Sequence, residues 1–453
     1  MLISQEPLDP AITLASLPPR RSAPRRPSPI RRDAAVMLAS GAVLRLCGLI
    51  FMMVLSRRLS KEDVGVFSFY EALADTLTII ASFSLDIVIM RRVAAAARNQ
   101  QTITFAPLLA FRLISAPVYL LCITIVSHFV RGPHWLLPFV GFYTLMESAF
   151  FSFAGFFVGV KRIGMKAAVE ASAELIFTTL FLVFVYRYPS IKTVIVLSTV
   201  RSGLLLGTGI YLTRRFFGPL QLRFAPLEML RAGAPFVLIS LLGVLQGSME
   251  TLLLGFLASL PATGAYQLAL KLTISAGFIP GAVNTAFFPH LAADGLTAMN
   301  RRRLVKALIL LACLGSGAGV LLFCLSHQVA HVLFGPMASE VAPVLCCIAP
   351  ALLVRFVTGG LTSAVVALKG ESRVFRSLLI GTLCGLTADC LLIPRFHASG
   401  AALGMLVSTT CQCVIMGATI RGLVAKARSG VSGSRVQGSG FRVQENATGK
   451  SDG

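Results

Sequence analysis

Between residues 34 and 420 the chain is a succession of apolar stretches, each close to the length a bilayer demands. A helix needs roughly 20 apolar residues to cross the hydrocarbon core. Twelve spans fit, at 34–56, 66–90, 105–127, 136–160, 167–186, 191–213, 232–259, 265–288, 304–326, 340–368, 374–394 and 399–420. In lipid, a spanning backbone must satisfy its own hydrogen bonds, and apolar runs of this length do so as helices. The expected fold class is therefore all-α: a polytopic membrane protein with about 12 transmembrane helices. Charged residues make up only 13% of the chain, about half the share of a soluble domain. The high apolar content also excludes a disordered chain.

The charge balance orients the spans. There are 41 Lys+Arg against 19 Asp+Glu, a net charge of +22. The basic residues are scattered between apolar segments rather than gathered in a nucleic-acid-binding patch. The N-terminal tail, the even-numbered loops and the C-terminal tail hold 29 of them, and the odd-numbered loops hold 7. The positive-inside rule then places both termini in the cytoplasm. Residues 1–33, with six Arg and seven Pro, read as a disordered basic cytoplasmic tail, and residues 421–453 as a Gly/Ser-rich basic one. Asn446-Ala447-Thr448 matches a glycosylation acceptor, which should be silent on that side. All ten Cys fall within apolar segments and none has a CxxC spacing, so they read as small apolar side chains. The six His lie at or near span ends. No metal or cofactor is expected.

A shift of 199 residues lays Leu55–Ala94 over Leu254–Ala293 without a gap, with Gly65-Val66-Phe67 on Gly264-Ala265-Tyr266. A weaker match at 208 sets Val160-Lys161 on Leu368-Lys369. The expected organisation is an N-lobe at 34–213, a cytoplasmic linker at 214–231 and a C-lobe at 232–420. Six spans per half make the repeats parallel. Such designs place a substrate site between the lobes near the midplane.

The same stretches carry a family resemblance. Leu59-Ser60-Lys61-Glu62-Asp63-Val64-Gly65-Val66-Phe67 resembles the first outer loop of polysaccharide-unit flippases. Gly264-Ala265-Tyr266, Ala269, Lys271-Leu272 and Phe288-Pro289 resemble the span after their midpoint. Leu392-Ile393-Pro394-Arg395-Phe396 with Gly400-Ala401-Ala402 resembles their last pair of spans. These proteins form a branch of the multidrug, oligosaccharidyl-lipid and polysaccharide (MOP) exporter superfamily. The resemblance covers residues 34–420. It implies two six-helix bundles around a central cavity and a cargo of oligosaccharide on undecaprenyl diphosphate, carried across the bacterial inner membrane. Where the family often has Asp in the span after the midpoint, this chain has Glu250.

Thirteen ionisable residues fall inside the spans. At roughly 3 kcal/mol each, exposing them to lipid would cost about 40 kcal/mol, so most must face a cavity or one another. In span 2, Glu71, Asp75, Thr78, Ser82 and Asp86 form one polar stripe at 100° per residue. The stripe predicts a cavity wall, or a buried network against Arg45. Arg45, Lys271, Arg112, Arg201 and Arg355 suit an anionic cargo, because guanidinium and ammonium groups can hold a diphosphate in a low-dielectric site. Glu71, Asp75, Asp86, Glu250 and Asp389 are candidates for ion coupling or cavity walls. Pairing between acid and base, or snorkelling of the bases, is the structural alternative at each position. GxxxG pairs, including Gly243/Gly247 and Gly400/Gly404, permit close helix packing.

The leading expectation is a lipid-linked oligosaccharide flippase working by alternating access, and not an enzyme. Membrane lipids, H+ or Na+, and polysaccharide polymerase machinery are its further candidate partners. An ion-coupled small-molecule or multidrug antiporter of the same fold is the alternative. A membrane glycosyltransferase using Glu62-Asp63 fits less well. The outer loops are short, and the pair suits the first turn of span 2. No Walker-type phosphate loop is present, so direct ATP drive has no support.

Overall fold

The computed structural model describes residues 29–99, 106–160, 162–217, 226–277, 298–368 and 370–436, together with 280, 281, 283, 284 and 291. Every regular element among them is helical. The first half runs α1 (Pro29–Arg58), α2 (Lys61–Ser82), α3 (Leu85–Asn99), α4 (Ala106–Ser127), α5 (Leu136–Gly159), α6 (Ile163–Arg187) and α7 (Ile191–Phe217). The second runs α8 (Pro226–Leu257), α9 (Leu260–Ala276), α10 (Ala298–Phe334), α11 (Ala338–Ala367) and α12 (Glu371–Val436). A 3-10 turn at Gly335–Met337 joins α10 to α11. Helix α12 breaks at His397, where φ is 49° and ψ −127°. Its two arms run antiparallel, with Cys384 against Cys411 and Ser377 bonded to the Gln412 carbonyl.

Eight stretches among the described residues are long and apolar enough to cross a membrane. Two of these, Met299–Ala367 and Glu371–Ala425, are 69 and 55 residues long and hold two passes each. Helix α4, with a shorter apolar stretch at Phe111–Ser127, and the 17-residue α9 stand where the two remaining spans are expected. Large apolar side chains lie bare along one face of several helices, such as Leu113, Val118, Leu121 and Ile125 on α4 and Val320, Leu321 and Phe323 on α10. In water such surfaces would aggregate; in a bilayer they face acyl chains.

The structure corrects two expectations. Span 2 is not one helix over 66–90. Phe83 and Ser84 adopt φ of 44° and 57°, closing α2 and starting α3 at Leu85. Left-handed backbone costs a non-glycine residue about 1–2 kcal/mol. Packing holds it in place: the Phe83 ring lies 6.1 Å from that of Phe111, and a Cβ on Gly233 would meet the Phe83 carbonyl at 2.5 Å. The last helix also runs on to Val436, past the expected end of span 12 at 420. The N-terminal tail up to residue 28, residues 218–225 of the linker, Phe288-Pro289 and the Asn446 acceptor lie outside the described residues.

The repeat has a direct structural counterpart. Ser60 caps α2 in extended conformation and accepts a bond from the Asp63 N–H at 3.1 Å. Ser259, 199 positions on, caps α9 in the same way and accepts from the Ala262 N–H at 3.4 Å. Each cap satisfies an N–H that would otherwise be orphaned at the helix start. Glu62 and Asp63 occupy the first turn of α2, where negative charge is favoured.

The two halves are tied together on the face that carries these caps. Lys61 Nζ lies 2.7 Å from Glu340 Oε1. Arg131 donates to the Ala258 carbonyl at 2.9 Å, and Arg57 donates to the Val332 carbonyl. The largest apolar cluster crosses between the halves, joining Phe67, Phe69 and Tyr70 to Ala265, Tyr266, Leu268 and Val341.

Candidate functional site

Among the described residues, two cavities lined by several helices bear on the site. The first, of about 780 Å³, is lined by α1, α2, α3, α4, α5, α6 and α7 and by α8 and α9 from the second half. The second, of about 550 Å³, is lined by α8, α9, α11 and α12. They share Gly243 and Gly247 on α8, so bare backbone forms the wall between them. Both volumes suit a small-molecule or sugar-sized ligand.

The polar stripe of span 2 faces the first cavity. Glu71, Asp75, Thr78, Ser82 and Asp86 all line it, although the helix breaks before Asp86. Ile79, which lies off the stripe, also reaches the wall. The carboxylates of Glu71 and Asp75, one helical turn apart, make no hydrogen bond and no ion pair among the described residues.

Arg112 and Arg201 line this cavity with their terminal nitrogens engaged; the buried Nε of Arg112 has no partner among the described residues. Arg201 on α7 donates to both oxygens of Glu147 on α5, at 2.8 and 2.9 Å, and to Glu174 on α6 at 3.3 Å. A planar guanidinium facing a carboxylate is the strong form of such a bond. Arg112 on α4 donates to Ser148 Oγ at 3.2 Å, to the Ser148 carbonyl at 2.9 Å and to Ser152 Oγ. Arg112 is 9% exposed, and its guanidinium stitches α4 to α5. Lys271 on α9 differs. It lines the first cavity from the second half, and its ammonium makes no ion pair among the described residues. Its charge reaches Asp75 and Glu174.

In the second cavity Arg355 on α11 faces Glu250 on α8, and its Nη1 lies 3.6 Å from Met405 Sδ. Tyr266 donates to the same sulfur at 3.7 Å. Asp389 lines neither cavity. It is fully buried between the arms of α12, against Gly404, and neither carboxylate oxygen has a hydrogen-bond partner. The charge of Glu250 reaches it. Arg45 is half-buried on α1, with a bond at 3.4 Å to the Gly41 carbonyl of its own helix, and is not among the residues lining either cavity.

Tyr143 is a cavity residue that the sequence did not single out. It lines the first cavity, is 3% exposed, and its hydroxyl has no hydrogen-bond partner. It sits among apolar residues of a largely apolar helix, and a lone Tyr there carries no signal. Glu147 and Glu174 were legible as intramembrane charges, but not as the pair that holds Arg201.

The fold is shared with solved transporters. The lipid II flippase MurJ in its inward closed conformation is similar over 86% of this chain and 87% of its own, with TM-score 0.64 and 14% identity. A multidrug resistance MATE family transporter of the MOP superfamily, inward-facing, matches over 87% of this chain and 99% of its own, with TM-score 0.62 and 13% identity. Stage V sporulation protein B of Bacillus subtilis (strain 168) is 22% identical over 436 residues, covering 86% of this chain and 83% of the relative. The family profile described as "Polysaccharide biosynthesis protein" matches residues 30–293. A match over more than half of the chain, on a fold common to the MOP transporters, means that this multi-pass membrane protein belongs to the polysaccharide biosynthesis protein family.

Proposed function

We propose that the protein is a flippase for a diphosphate-linked saccharide. It carries undecaprenyl-diphosphate-linked oligosaccharide units across the bacterial inner membrane by alternating access of two lobes, residues 34–213 and 232–420, with both termini cytoplasmic. It acts as a transporter and catalyses no covalent step. Family membership supports the lipid-linked saccharide class.

The observation that carries the reading is the state of the cavity cations. Arg112 and Arg201 spend their terminal nitrogens on serines and carboxylates, whereas among the described residues Lys271 makes no ion pair and Arg355 has only a thioether within hydrogen-bond reach. A diphosphate needs cations that are not already spent. Lys271 and Arg355 therefore anchor it, one in each cavity, across the glycine wall of α8. Arg45 has a lesser place in this reading than its sequence position suggested. The buried acids Glu250 and Asp389 are the coupling groups for H+ or Na+: among the described residues Asp389 has no partner for either oxygen, and Glu250 loses its facing cation when the cargo engages Arg355, so each carboxylate is costly to bury unless it takes up a cation.

The test is transport of farnesyl-diphosphate-linked N-acetylglucosamine in proteoliposomes. Lys271→Ala and Arg355→Ala should each weaken binding about 10- to 100-fold, as for a lost charge-assisted bond of about 1.5–3 kcal/mol. Protein abundance should be unchanged. Full transport by both variants would remove the proposed anchor. Efflux of a cationic dye without transport of the lipid-linked sugar would favour the antiporter. Reporter fusions after residues 62 and 220 should read outside and inside respectively.

A further inference from the structure

The first cavity is lined by five carboxylates, Glu71, Asp75, Asp86, Glu147 and Glu174, against three cations, Arg112, Arg201 and Lys271. Glu147 and Glu174 are consumed by Arg201. Asp86 lies within electrostatic reach of Arg112. Glu71 and Asp75 are left, on one face of α2, with no ion pair among the described residues; the charges of Lys271 and of the already paired Arg201 reach Asp75. Opposite them, on α5, the Tyr143 hydroxyl is buried, lacks a partner and lies within the field of both acids. A polar atom is costly to bury unsatisfied, and three acceptors facing one space define a donor-seeking site.

We propose that Glu71, Asp75 and Tyr143 form a subsite for a protonated primary amine on the cargo's sugar, so that the cargo is zwitterionic. This rests on the diphosphate reading above. The chemistry matches in kind. An R–NH3+ group offers three N–H donors, and the two carboxylates and the phenol give each donor its own acceptor group. A metal ion fits less well. Hard cations take six or more oxygens, and among the described residues no three His, Cys, Asp or Glu side chains converge on one point.

Charge balance gives a second reason. When the diphosphate engages Lys271, one of the two cations that offset Asp75 is drawn onto the cargo, and the other, Arg201, is already paired with Glu147 and Glu174. The acid pair is then under-compensated in a low-dielectric cavity. A cargo that brings its own ammonium makes up the loss, and one without it does not. The site thereby selects for amino sugars over their N-acetylated forms.

The experiment compares two synthetic probes, farnesyl-diphosphate-linked glucosamine and farnesyl-diphosphate-linked N-acetylglucosamine, binding to the full chain in nanodiscs. The free amine should bind about tenfold or more tightly, the scale of one charge-assisted hydrogen bond. The preference should vanish in Glu71→Gln/Asp75→Asn and shrink in Tyr143→Phe. The comparison on the unmodified chain stands even if a variant folds poorly. Equal binding of the two probes overturns the amine subsite and leaves the diphosphate anchor intact. A preference that survives in Glu71→Gln/Asp75→Asn places the amine elsewhere and also overturns it. Binding of neither probe overturns both the anchor and the subsite.

Discussion

Gly65 and Gly264 meet backbone to backbone where α2 crosses α9. A Cβ on Gly264 would lie 3.0 Å from the Gly65 nitrogen, and one on Gly65 would fall on the Leu260 carbonyl. The two glycines are equivalent in the internal repeat, so this crossing lies at the join between the halves. Gly65→Leu should hold the halves apart. Overpacking of this kind typically costs about 1–3 kcal/mol. The melting temperature should fall, and cysteines placed at Lys61 and Glu340 should lose the cross-link that a short bismaleimide forms between them. Gly203→Ala is the control, because open space surrounds Gly203.

Arg201 is held by two carboxylates from two neighbouring helices, which makes it a structural tie of α5, α6 and α7. Removing one partner of a fully buried ion pair costs about 3–5 kcal/mol, because the other charges are left uncompensated; this group is partly buried, so a smaller cost is expected. Arg201→Ala should therefore reduce the amount of folded protein. Arg201→Ala/Glu147→Gln/Glu174→Gln should recover it. If Arg201→Ala melts like the parent and fails only in transport, Arg201 contacts cargo instead.

Accessibility along α2 tests the cavity directly. In a background cleared of native Cys, Thr78→Cys and Ser82→Cys should react with a water-soluble thiol reagent. Ile79→Cys should react as well, since Ile79 shares the wall. Ile80→Cys, which is not on the cavity lining, should react much less. Equal rates at all four would mean that α2 is wetted all round and lines no defined cavity.

The stripe shows how much the sequence can carry. Periodicity placed Glu71, Asp75, Thr78, Ser82 and Asp86 on one face, and all five reach the cavity. It did not find the break at Phe83-Ser84, because neither residue has an intrinsic taste for positive φ. The break is imposed by Phe111 and by the close approach of Gly233, which are distant in the chain. The repeat aligned Gly65 with Gly264 and Ser60 with Ser259 because caps and crossings are local and leave small, polar signatures. Ion pairing left no such trace. Arg45 and Arg201 look alike in sequence, as single cations in apolar runs, and only the neighbouring helices decide that Arg201 is tied to Glu147 and Glu174. Tyr143 was illegible for the same reason.

Asp389 and Gly404 yield the last prediction. The carboxylate is fully buried with neither oxygen bonded, and it occupies the space that a Cβ on Gly404 would need. An ionised carboxylate without a partner is strongly disfavoured at such a position. A bound proton or metal cation would relieve that cost, and the charge of Glu250 acts on the same carboxylate. Asp389→Asn keeps the shape and removes the charge. It should melt no lower than the parent, while transport ceases to respond to an imposed Na+ or pH gradient. Gly404→Ala pushes the carboxylate out of its place. It should lose the same response and also lose stability, since the methyl group strains the packing of the two arms. The paired outcome separates coupling from packing. A variant that is merely misfolded loses stability and transport together, whereas Asp389→Asn is expected to lose gradient dependence alone. Gradient-driven transport persisting in Asp389→Asn would show that the coupling charge resides on another residue, with Glu250→Gln the next to examine.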